Sequence, residues 1–283
     1  NATSGAVVLS ADTIATAYND TAANLAVAFD GITTSTSTLT ITGVAATIAE
    51  LTTINNATSG TVVLSANTIS TAYNDTAANL AAAFDGITTS TSTLTITGAA
   101  ATIDELTTIN NATSGTVVLS TDTIATAYND TATNLAAAFD EITTSTSTLT
   151  ITGAAATIAE LITINNATSG AVVLSADTIA AAYSDTAANL IAAFTGITSH
   201  TGGLTVSDTV AVSASDLNTI NTFKASGTAT VTATSEITGT SADLVTVIGA
   251  VTHGTDVTFT ITGGAATIAE LIAINNATSG TVV

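Results

Sequence analysis

A repeat of 55 residues constrains this chain more than any other feature of its sequence. The segment 1–55 returns at 56–110 with only six substitutions. The successive copies are 1–55, 56–110, 111–165, 166–220 and 221–275, and residues 276–283 begin a sixth. Self-similarity at this period is typical of solenoids, in which each repeat buries its apolar face against its neighbours. The sequence therefore predicts one continuous solenoid array over 1–283, which we expect to be a section of a longer chain.

Each repeat divides into two related halves, and each half has the pattern of a strand followed by a short helix. In 38–55 the strand TLTIT precedes the helix TIAELTTIN, and in 61–84 the strand TVVLS precedes the helix DTAANLAAAF. β-branched residues favour strands, and Leu39 and Ile41 alternate with Thr. We therefore predict an α/β repeat solenoid, a parallel β-sheet with short helices and two strand–helix coils per 55-residue repeat. An all-β solenoid, in which the helices are merely turns, is the structural alternative.

Helix-start signals and apolar ladders recur with the repeat. Thr47 and Glu50 have the spacing of a capping box, in which side chain and backbone satisfy each other's hydrogen bonds. Equivalent pairs are Thr102/Glu105, Thr157/Glu160, Ser213/Asp216 and Thr267/Glu270. Leu recurs in the first helix at 51, 106, 161, 217 and 271, and in the second at 25, 80, 135, 190 and 244. Helices shorter than about 12–15 residues are marginal alone, so we expect these Leu side chains to stack between coils.

An Asn follows the first helix of every repeat. Asn and Gly suit a reversal from helix to strand, because both tolerate positive φ. The recurring residues are Asn55, Asn110, Asn165, Asn221 and Asn275. The pattern predicts an asparagine ladder between coils.

The charge balance limits the partners of this chain. It contains 21 carboxylates and one basic residue, Lys224, and its formal net charge is −20. Such a chain does not suit a nucleic-acid backbone or an anionic membrane surface. No apolar run approaches the roughly 18–20 residues that span a bilayer. We therefore expect neither nucleic-acid binding nor membrane insertion.

Repeated carboxylates are the candidates for a metal site. Calcium prefers oxygen ligands in turns, and the candidate residues are Asp20, Asp30, Asp75, Asp85, Asp130 and Asp140. If each half-repeat is one coil of about 4.8 Å, equivalent carboxylates lie about 10 Å apart, where high salt screens their repulsion. Calcium is thus a candidate cofactor. Positions at helix ends explain the same residues, and no EF-hand or calcium-roll motif is present.

The sequence offers little for catalysis. Catalysis needs a nucleophile, a base and a group that stabilises charge, whereas this chain has no Arg or Cys and only two His. His200 and His253 both follow the second helix of a repeat, and we interpret them as solvated loop residues. No phosphate-binding loop or nucleophile elbow occurs. The sequence therefore predicts a protein that is not an enzyme.

The run TTSTSTLTIT is the candidate binding surface. Alternate residues of an extended segment share one face, so the Thr side chains of this run lie together. The candidate binding residues are Thr36, Thr38, Thr40, Thr91, Thr93 and Thr95. A flat Thr array can bind ice or glycan, and a solvated, hydroxyl-rich strand face is the simpler interpretation.

Three phrases resemble a known group of proteins. TIAELTTINNATSG, TSADLVTVIGAVT and SASDLNTINTFKASGTATVTATSEITGTSADL resemble the Thr/Ala/Val-rich repeat modules of giant secreted bacterial, including cyanobacterial, cell-surface proteins. The resemblance covers the whole chain. It implies an extracellular or cell-surface location in a coat, matrix fibre or adhesin, and it carries over no catalytic or binding residue.

We therefore expect a structural extracellular repeat protein that forms a filament, matrix fibre or surface-layer component by stacking and self-association. Near-identity between copies, at surface as well as core positions, would make such association multivalent. The alternative is an adhesin, or an ice- or glycan-binding array, that uses the Thr-rich strand face.

Overall fold

The structure is a computed structural model that describes residues 8–232 and 234–283. Short helices and short strands alternate along these residues, and the pairs between named strands are parallel. This is the α/β repeat solenoid-like fold that the sequence predicts. Many of its helices contain eight to ten residues, so they are not the turns of an all-β solenoid.

The secondary-structure elements are short throughout. The helices are α1 (Ala11–Ala15), α2 (Ala22–Phe29), α3 (Ile48–Ala57), α4 (Ala66–Ser70), α5 (Ala77–Phe84), α6 (Ile103–Ala112), α7 (Thr121–Ala125), α8 (Ala132–Phe139), α9 (Ile158–Ala167), α10 (Ala176–Ala180), α11 (Ala187–Phe194), α12 (Ala214–Thr222), α13 (Ser241–Ala250) and α14 (Ile268–Ala277). The strands are β1 (Tyr18–Thr21), β2 (Leu39–Thr42), β3 (Val62–Val63), β4 (Tyr73–Thr76), β5 (Leu94–Thr97), β6 (Val117–Val118), β7 (Tyr128–Thr131), β8 (Leu149–Thr152), β9 (Val172–Val173), β10 (Tyr183–Asp185), β11 (Leu204–Val206), β12 (Val212–Ser213), β13 (Ala229–Val231), β14 (Glu236–Gly239), β15 (Val251–Thr252) and β16 (Thr258–Ile261).

A regular repeat contains three strands and three helices, whereas the sequence predicts two of each. Only β3 forms within the predicted strand TVVLS at 61–65. The hydroxyl of Ser65 accepts a hydrogen bond from the backbone N–H of Thr68 at 3.1 Å. Because Ser is a favourable N-cap, the chain enters α4 directly after Ser65, and β4 follows before α5. The second predicted coil therefore carries an additional short helix and an additional strand.

The chain forms two compact units. The first unit extends to Thr126 and also includes Ala137–Ser147. The second unit comprises Ala127–Ala136 and Thr148–Val283. The first unit contains the sheets β1-β2-β3 and β4-β5-β6, and the second contains β7-β8-β9, β10-β11-β13-β15 and β12-β14-β16.

Leucine side chains form the centre of the packed helices within each unit. In the first unit α2 packs on α3, α3 on α5 and α5 on α6, and in the second α9 packs on α11, α11 on α12, α12 on α13 and α13 on α14. Leu51, Leu80 and Leu106 are fully buried, as are Leu161, Leu190, Leu217 and Leu244. Burying one such side chain contributes about 1.5–3 kcal/mol. The predicted burial of the Leu side chains between packed helices is confirmed for these residues, and it is wrong for Leu271 of α14, which is 43% exposed.

Capping boxes start four of the helices, as the sequence predicts. Thr47, Thr102, Thr157 and Thr267 each cap the following helix together with the Glu three residues later. The prediction is wrong for Ser213, whose side chain makes no capping hydrogen bond to α12. The next helix, α13, does have a side-chain cap: Thr240 accepts a hydrogen bond from the backbone N–H of Asp243 at 3.2 Å.

The recurring Asn side chains bind the next helix and not one another. Asn55 donates from Nδ2 to the carbonyl oxygens of Ala82 at 3.3 Å and Asp85 at 2.8 Å, at the end of α5. Asn110 and Asn165 make the equivalent pairs of bonds to residues 137 and 140 and to residues 192 and 195. The last carbonyls of a helix lack partners within it. The predicted asparagine ladder is therefore a series of helix C-terminal caps.

The fourth Asn of the series, Asn221 near the end of α12, departs from this arrangement. Asn221 accepts a hydrogen bond from the backbone N–H of Ala229 at 3.0 Å, which is a contact within its own turn. Asn218 takes over the contact with the following segment, through a single bond to the carbonyl oxygen of Asp243 at 3.2 Å. A side-chain amide thus still links α12 to α13, but it belongs to Asn218 and not to Asn221.

Candidate functional site

The Thr-rich strands present one exposed face, and its composition is the clearest functional feature of the regular repeats. In β2 the side chains of Leu39 and Ile41 are buried, whereas Thr40 and Thr42 are partly exposed. We define the outward side chains of the first sheet, Asn19, Thr38, Thr40, Thr42, Thr61 and Val63, as its Thr face. The equivalent residues of the next two three-stranded sheets lie 55 and 110 positions later.

The candidate Thr residues differ in how they use their hydroxyl groups. Thr36 donates to the carbonyl oxygen of Ile14 at 3.2 Å, and Thr91 makes the equivalent bond to Ile69 at 3.2 Å. Among the described residues, the hydroxyl groups of Thr38 and Thr40, and of their copies Thr93 and Thr95, make no hydrogen bond within the chain. Thr36 and Thr91 therefore stabilise the backbone through their bonds to Ile14 and Ile69, and the other four hydroxyl groups face solvent.

Each Thr face contains a row of uncharged residues across its three strands. In the first sheet the register aligns Asn19 with Thr40 and Thr40 with Val63. The equivalent rows are Asn74–Thr95–Val118 and Asn129–Thr150–Val173. In the four-stranded sheet the corresponding row is Ser184–Thr205–Thr230–Thr252. A polar, uncharged row thus recurs even where the sequence has diverged.

The predicted metal ligand Asp20 belongs to a helix start. Its Oδ1 accepts hydrogen bonds from the backbone N–H of Thr21 at 2.7 Å and from Nδ2 of Asn24 at 2.9 Å. The Asn24 bond, followed by the Thr21 bond, lowers the pKa of Asp20 below its ordinary value. Asp75 and Asp130 make the same pair of contacts. A carboxylate in this place also interacts favourably with the helix dipole.

Asp30, Asp85 and Asp140 lie at the opposite ends of the same helices. Asp20 precedes α2 and Asp30 follows it, and eight helical residues span about 12 Å. The carbonyl oxygens of Asp85 and Asp140 accept bonds from the Asn caps of the preceding helices. Among the described residues, no three His, Asp or Glu side chains lie together in a way that could hold a metal ion. The structure does not bring the six candidates together, and calcium binding stays a prediction.

Asp85 and Asp140 line two equivalent polar cavities in the first unit. The cavities measure about 420 and 440 Å³ and are bordered by the turns that follow α3 and α6. Beside Asp140, Glu141 adopts a left-handed backbone conformation with φ of 55°, in the place where other repeats have Gly31, Gly86 and Gly196. The larger cavity therefore has one more carboxylate than its counterpart.

The prediction that His200 is solvated is wrong. Its side chain is 0% exposed and packs against Phe194, with 4.9 Å between the ring centroids. His253 is partly exposed, and its Nδ1 lies 2.9 Å from the carbonyl oxygen of Gly254. In the run TTSTSTLTIT the Thr side chains face outward and the residues between them face inward. In the repeat alignment His200 occupies the position of Ser145, which is one of these buried residues. That alignment was the signal for its burial.

Together the fold and the Thr faces define an α/β repeat protein of solenoid-like architecture. Among the described residues, no helix has both the length and the apolar character needed to cross a membrane. No family model matches the chain, and neither a curated protein nor a solved structure matches it.

Proposed function

We propose that this protein is a structural, extracellular repeat protein that forms a filament, matrix fibre or surface layer by self-association through its Thr faces. The recurrence of an uncharged row on successive sheets, in a chain with a net charge of −20, carries this proposal. The proposed role requires no catalysis.

The Thr face combines the chemical properties that a protein contact needs. Val63 and Val118 are each 40% exposed, and they lie directly beside Thr40 and Thr95. Burial of apolar surface contributes roughly 25 cal/mol per Å², and neighbouring hydroxyl groups with no partner in the chain can bond across the contact. One row provides a weak contact, and repetition of the row makes the association multivalent.

The charge distribution favours the Thr face as the contact surface, and it makes assembly depend on the salt concentration. In the first sheet Asp20 and Asp30 flank α2, whereas the uncharged row Asn19–Thr40–Val63 contains no carboxylate. Two copies of a highly anionic chain repel over about 10 Å at 0.1 M salt but only about 3 Å at 1 M. Assembly through the Thr faces therefore requires salt or divalent cations, which a saline exterior supplies.

A charge placed on the Thr face tests this proposal. The variant Thr40→Asp/Thr150→Asp introduces two carboxylates into uncharged rows, and we expect it to remain dispersed at salt concentrations at which the wild-type chain assembles. The control is Ala49→Asp/Ala159→Asp, which adds the same charge at exposed helix positions of the same repeats. The second repeat already has Asp104 at that position. Light scattering and electron microscopy across a salt series provide the measurement.

Two outcomes would contradict the proposal. If the wild-type chain stays monomeric at every salt and calcium concentration, self-association is not its function. If both double variants reduce assembly equally, the effect comes from net charge and the Thr face is not the interface.

The solvent-facing hydroxyl groups favour a second candidate, an adhesin or an ice- or glycan-binding array. Thr38, Thr40, Thr93 and Thr95 present hydroxyl groups that make no internal hydrogen bond among the described residues. Replacing these residues with Val in every copy, including Thr148 and Thr150, keeps the side-chain shape and removes the hydroxyl groups. Under this candidate, ice shaping or adsorption to glycans decreases in the Val variant. Unchanged activity would eliminate it.

Calcium is the remaining proposal, and thermal unfolding tests it. An ion that binds only the folded state stabilises it by RT ln(1 + [L]/Kd). We expect the melting temperature to fall when a chelator is added and to recover with calcium. An unchanged melting temperature would count against structural calcium.

A further inference from the structure

The second unit replaces a repeated Ser–Thr pair with a His–Lys pair. In the first unit, isolated parallel bridges join Ser35 to Thr58 and Ser90 to Thr113. The equivalent bridge in the second unit joins His200 to Lys224. We call each of these bridged pairs a joint. Lys224 is the single basic residue of the chain other than His, so both members of this joint differ from the regular pair.

The imidazole of His200 is enclosed, and the backbone groups of Thr178 and Gly203 that act on it lie outside hydrogen-bonding geometry. Among the described residues, neither of its ring nitrogens has a partner with hydrogen-bonding geometry. Its ring centroid lies 4.9 Å from that of Phe194 and 5.6 Å from that of Tyr183. A buried polar group without a partner is costly, and its charged form is more costly still. The site therefore accepts the neutral ring and disfavours the imidazolium.

Lys224 is held close to this ring. Its Nζ donates a hydrogen bond to the carbonyl oxygen of Gly202. A Cβ atom at position 202 would lie 1.7 Å from the carbonyl oxygen of Ala181, so the Ser found at this position in the regular repeats does not fit here. The ammonium group lies close enough to the imidazole for its charge to oppose a second positive charge there.

The other elements around His200 provide no compensating negative charge. Helix α11 contains no titratable residue. On β10, the hydroxyl of Tyr183 donates to the carbonyl oxygen of Ala156 at 2.7 Å, and Asp185 accepts from Thr186 and from Asn189. On α10, Asp177 is exposed.

These surroundings set the direction in which His200 titrates. Burial, followed by the charge of Lys224, lowers the pKa of His200 below its ordinary value of 6.5. Backbone groups of Thr178 and Gly203 oppose this change only partly.

We propose that His200 and Lys224 form an acid-sensitive joint, in which mild acid opens the local packing of the second unit while the Ser–Thr joints of the first unit do not respond. This inference is independent of the proposed assembly function. Because the pKa of His200 is lower in the folded state, the open state binds more protons as the pH falls below about 6.5. Stability is therefore lost as the pH decreases from that value towards the lower pKa of the folded state. Carboxylates titrate near pH 4, so the range from about 6.5 to 5 isolates the histidine.

Hydrogen exchange on the full chain measures this opening. After correction for the intrinsic exchange rate, we expect the opening constant of amides near residues 183–194 and 223–225 to rise by up to tenfold per pH unit below about 6.5. His200→Ser restores the regular residue and removes the rise. Lys224→Thr makes the rise smaller, because the opposing charge is gone. His253→Ser is the control and leaves the rise unchanged.

An NMR titration of the wild-type imidazole provides a second measurement that needs no variant. We expect the His200 ring to stay neutral through the ordinary range of histidine and to protonate only below it. A His200 ring that titrates in the ordinary range would overturn the proposal. Identical pH dependence of exchange in the wild-type chain and in His200→Ser would overturn it as well.

Discussion

The joint at Ser90 and Thr113 in the first unit and the joint at His200 and Lys224 in the second share their backbone pairing but not their chemistry. A backbone N–H donates to the carbonyl oxygen of Ser90 at 2.9 Å and to that of His200 at 2.7 Å. The hydroxyl of Ser90 accepts a backbone hydrogen bond, whereas the His200 ring nitrogens have no partner in hydrogen-bonding geometry among the described residues. Main-chain hydrogen bonds therefore preserve the coil while the enclosed side chains change.

The hydrogen bonds at the regular joint show which contacts change when Ser is replaced by His. The hydroxyl of Ser90 accepts from the backbone N–H of Ser92 at 3.0 Å, and the hydroxyl of Ser92 donates to the carbonyl oxygen of Ile69 at 2.9 Å. Gly202 occupies the position of Ser92 in the irregular joint and has no hydroxyl group, but its backbone N–H donates to the equivalent carbonyl oxygen, that of Ile179, at 3.0 Å. At the irregular joint, aromatic packing of His200 against Phe194 takes the place of the bond to the Ser90 hydroxyl.

The largest expected effect contrasts the aromatic cores of the two units. Phe84→Ala and Phe194→Ala each remove a fully buried ring, which costs about 3–5 kcal/mol. Phe194→Ala should be the more destabilising, because that ring also lies 4.9 Å from His200 and 6.3 Å from Phe223. Urea unfolding followed by circular dichroism measures the difference. Val118→Ala, at a 40% exposed position, serves as the control. Equal losses for the two Phe variants would show that the irregular cluster adds no stability.

The Asn caps offer the next contrast. Asn110→Ala removes two hydrogen bonds to the end of the following helix, and we expect a loss of about 1–3 kcal/mol. Asn218→Ala should cost less, since Asn218 makes one such bond and its buried Oδ1 has no partner among the described residues. The exposed neighbour Asn111→Ala controls for helix propensity. Equal losses for Asn110→Ala and Asn111→Ala, in the same unfolding assay, would contradict the capping role.

Helix N-caps give a smaller effect with a clear difference between repeats. Thr102→Ala disrupts a complete capping box at α6 and should destabilise by about 1 kcal/mol, within the usual range for N-caps. Ser213→Ala should be nearly neutral, because Ser213 makes no capping bond to α12. Thermal unfolding of both variants checks this, and a loss for Ser213→Ala as large as that for Thr102→Ala would show that α12 is capped in solution.

The smallest expected effect concerns a single hydrogen bond of the third repeat. Burial acts to raise the pKa of Glu160, but hydrogen bonds from Thr133 and Thr157 hold it below its ordinary value. The bond from Thr133 measures 2.6 Å, and the other repeats have Ala at that position. A lowered carboxyl pKa contributes stability above the pKa of the unfolded chain, and this stability is lost as the pH falls through the folded-state value.

In Thr133→Ala, the free energy of unfolding should therefore decrease less steeply than in the wild-type chain as the pH falls below about 4.5. We expect a change of less than about 1 kcal/mol, because solvent screens this partly exposed carboxylate. Unfolding free energies between pH 6 and pH 3 provide the measurement. A profile identical to that of the wild-type chain would show that the Thr133 bond does not form in solution.

Local patterns predicted much of the fold. The alternation in TLTIT correctly separates buried Leu39 and Ile41 from outward Thr40, and the Thr47/Glu50 spacing correctly places the start of a helix. The same patterns located the Thr face, whose binding role stays a prediction. They missed β4, because the sequence YNDT has little β-branched character and forms a strand only by pairing with β5.

The sequence by itself determined the 55-residue repeat, the alternation of strand and helix, four of the capping boxes and the buried and outward sides of strands such as TLTIT. These features depend on composition and on spacing within a few residues. Tertiary structure decided which carbonyl groups Asn55 binds and that His200 is enclosed beside Lys224. These outcomes depend on contacts between successive coils, because the burial and partners of a side chain are set by residues that lie far from it in the chain.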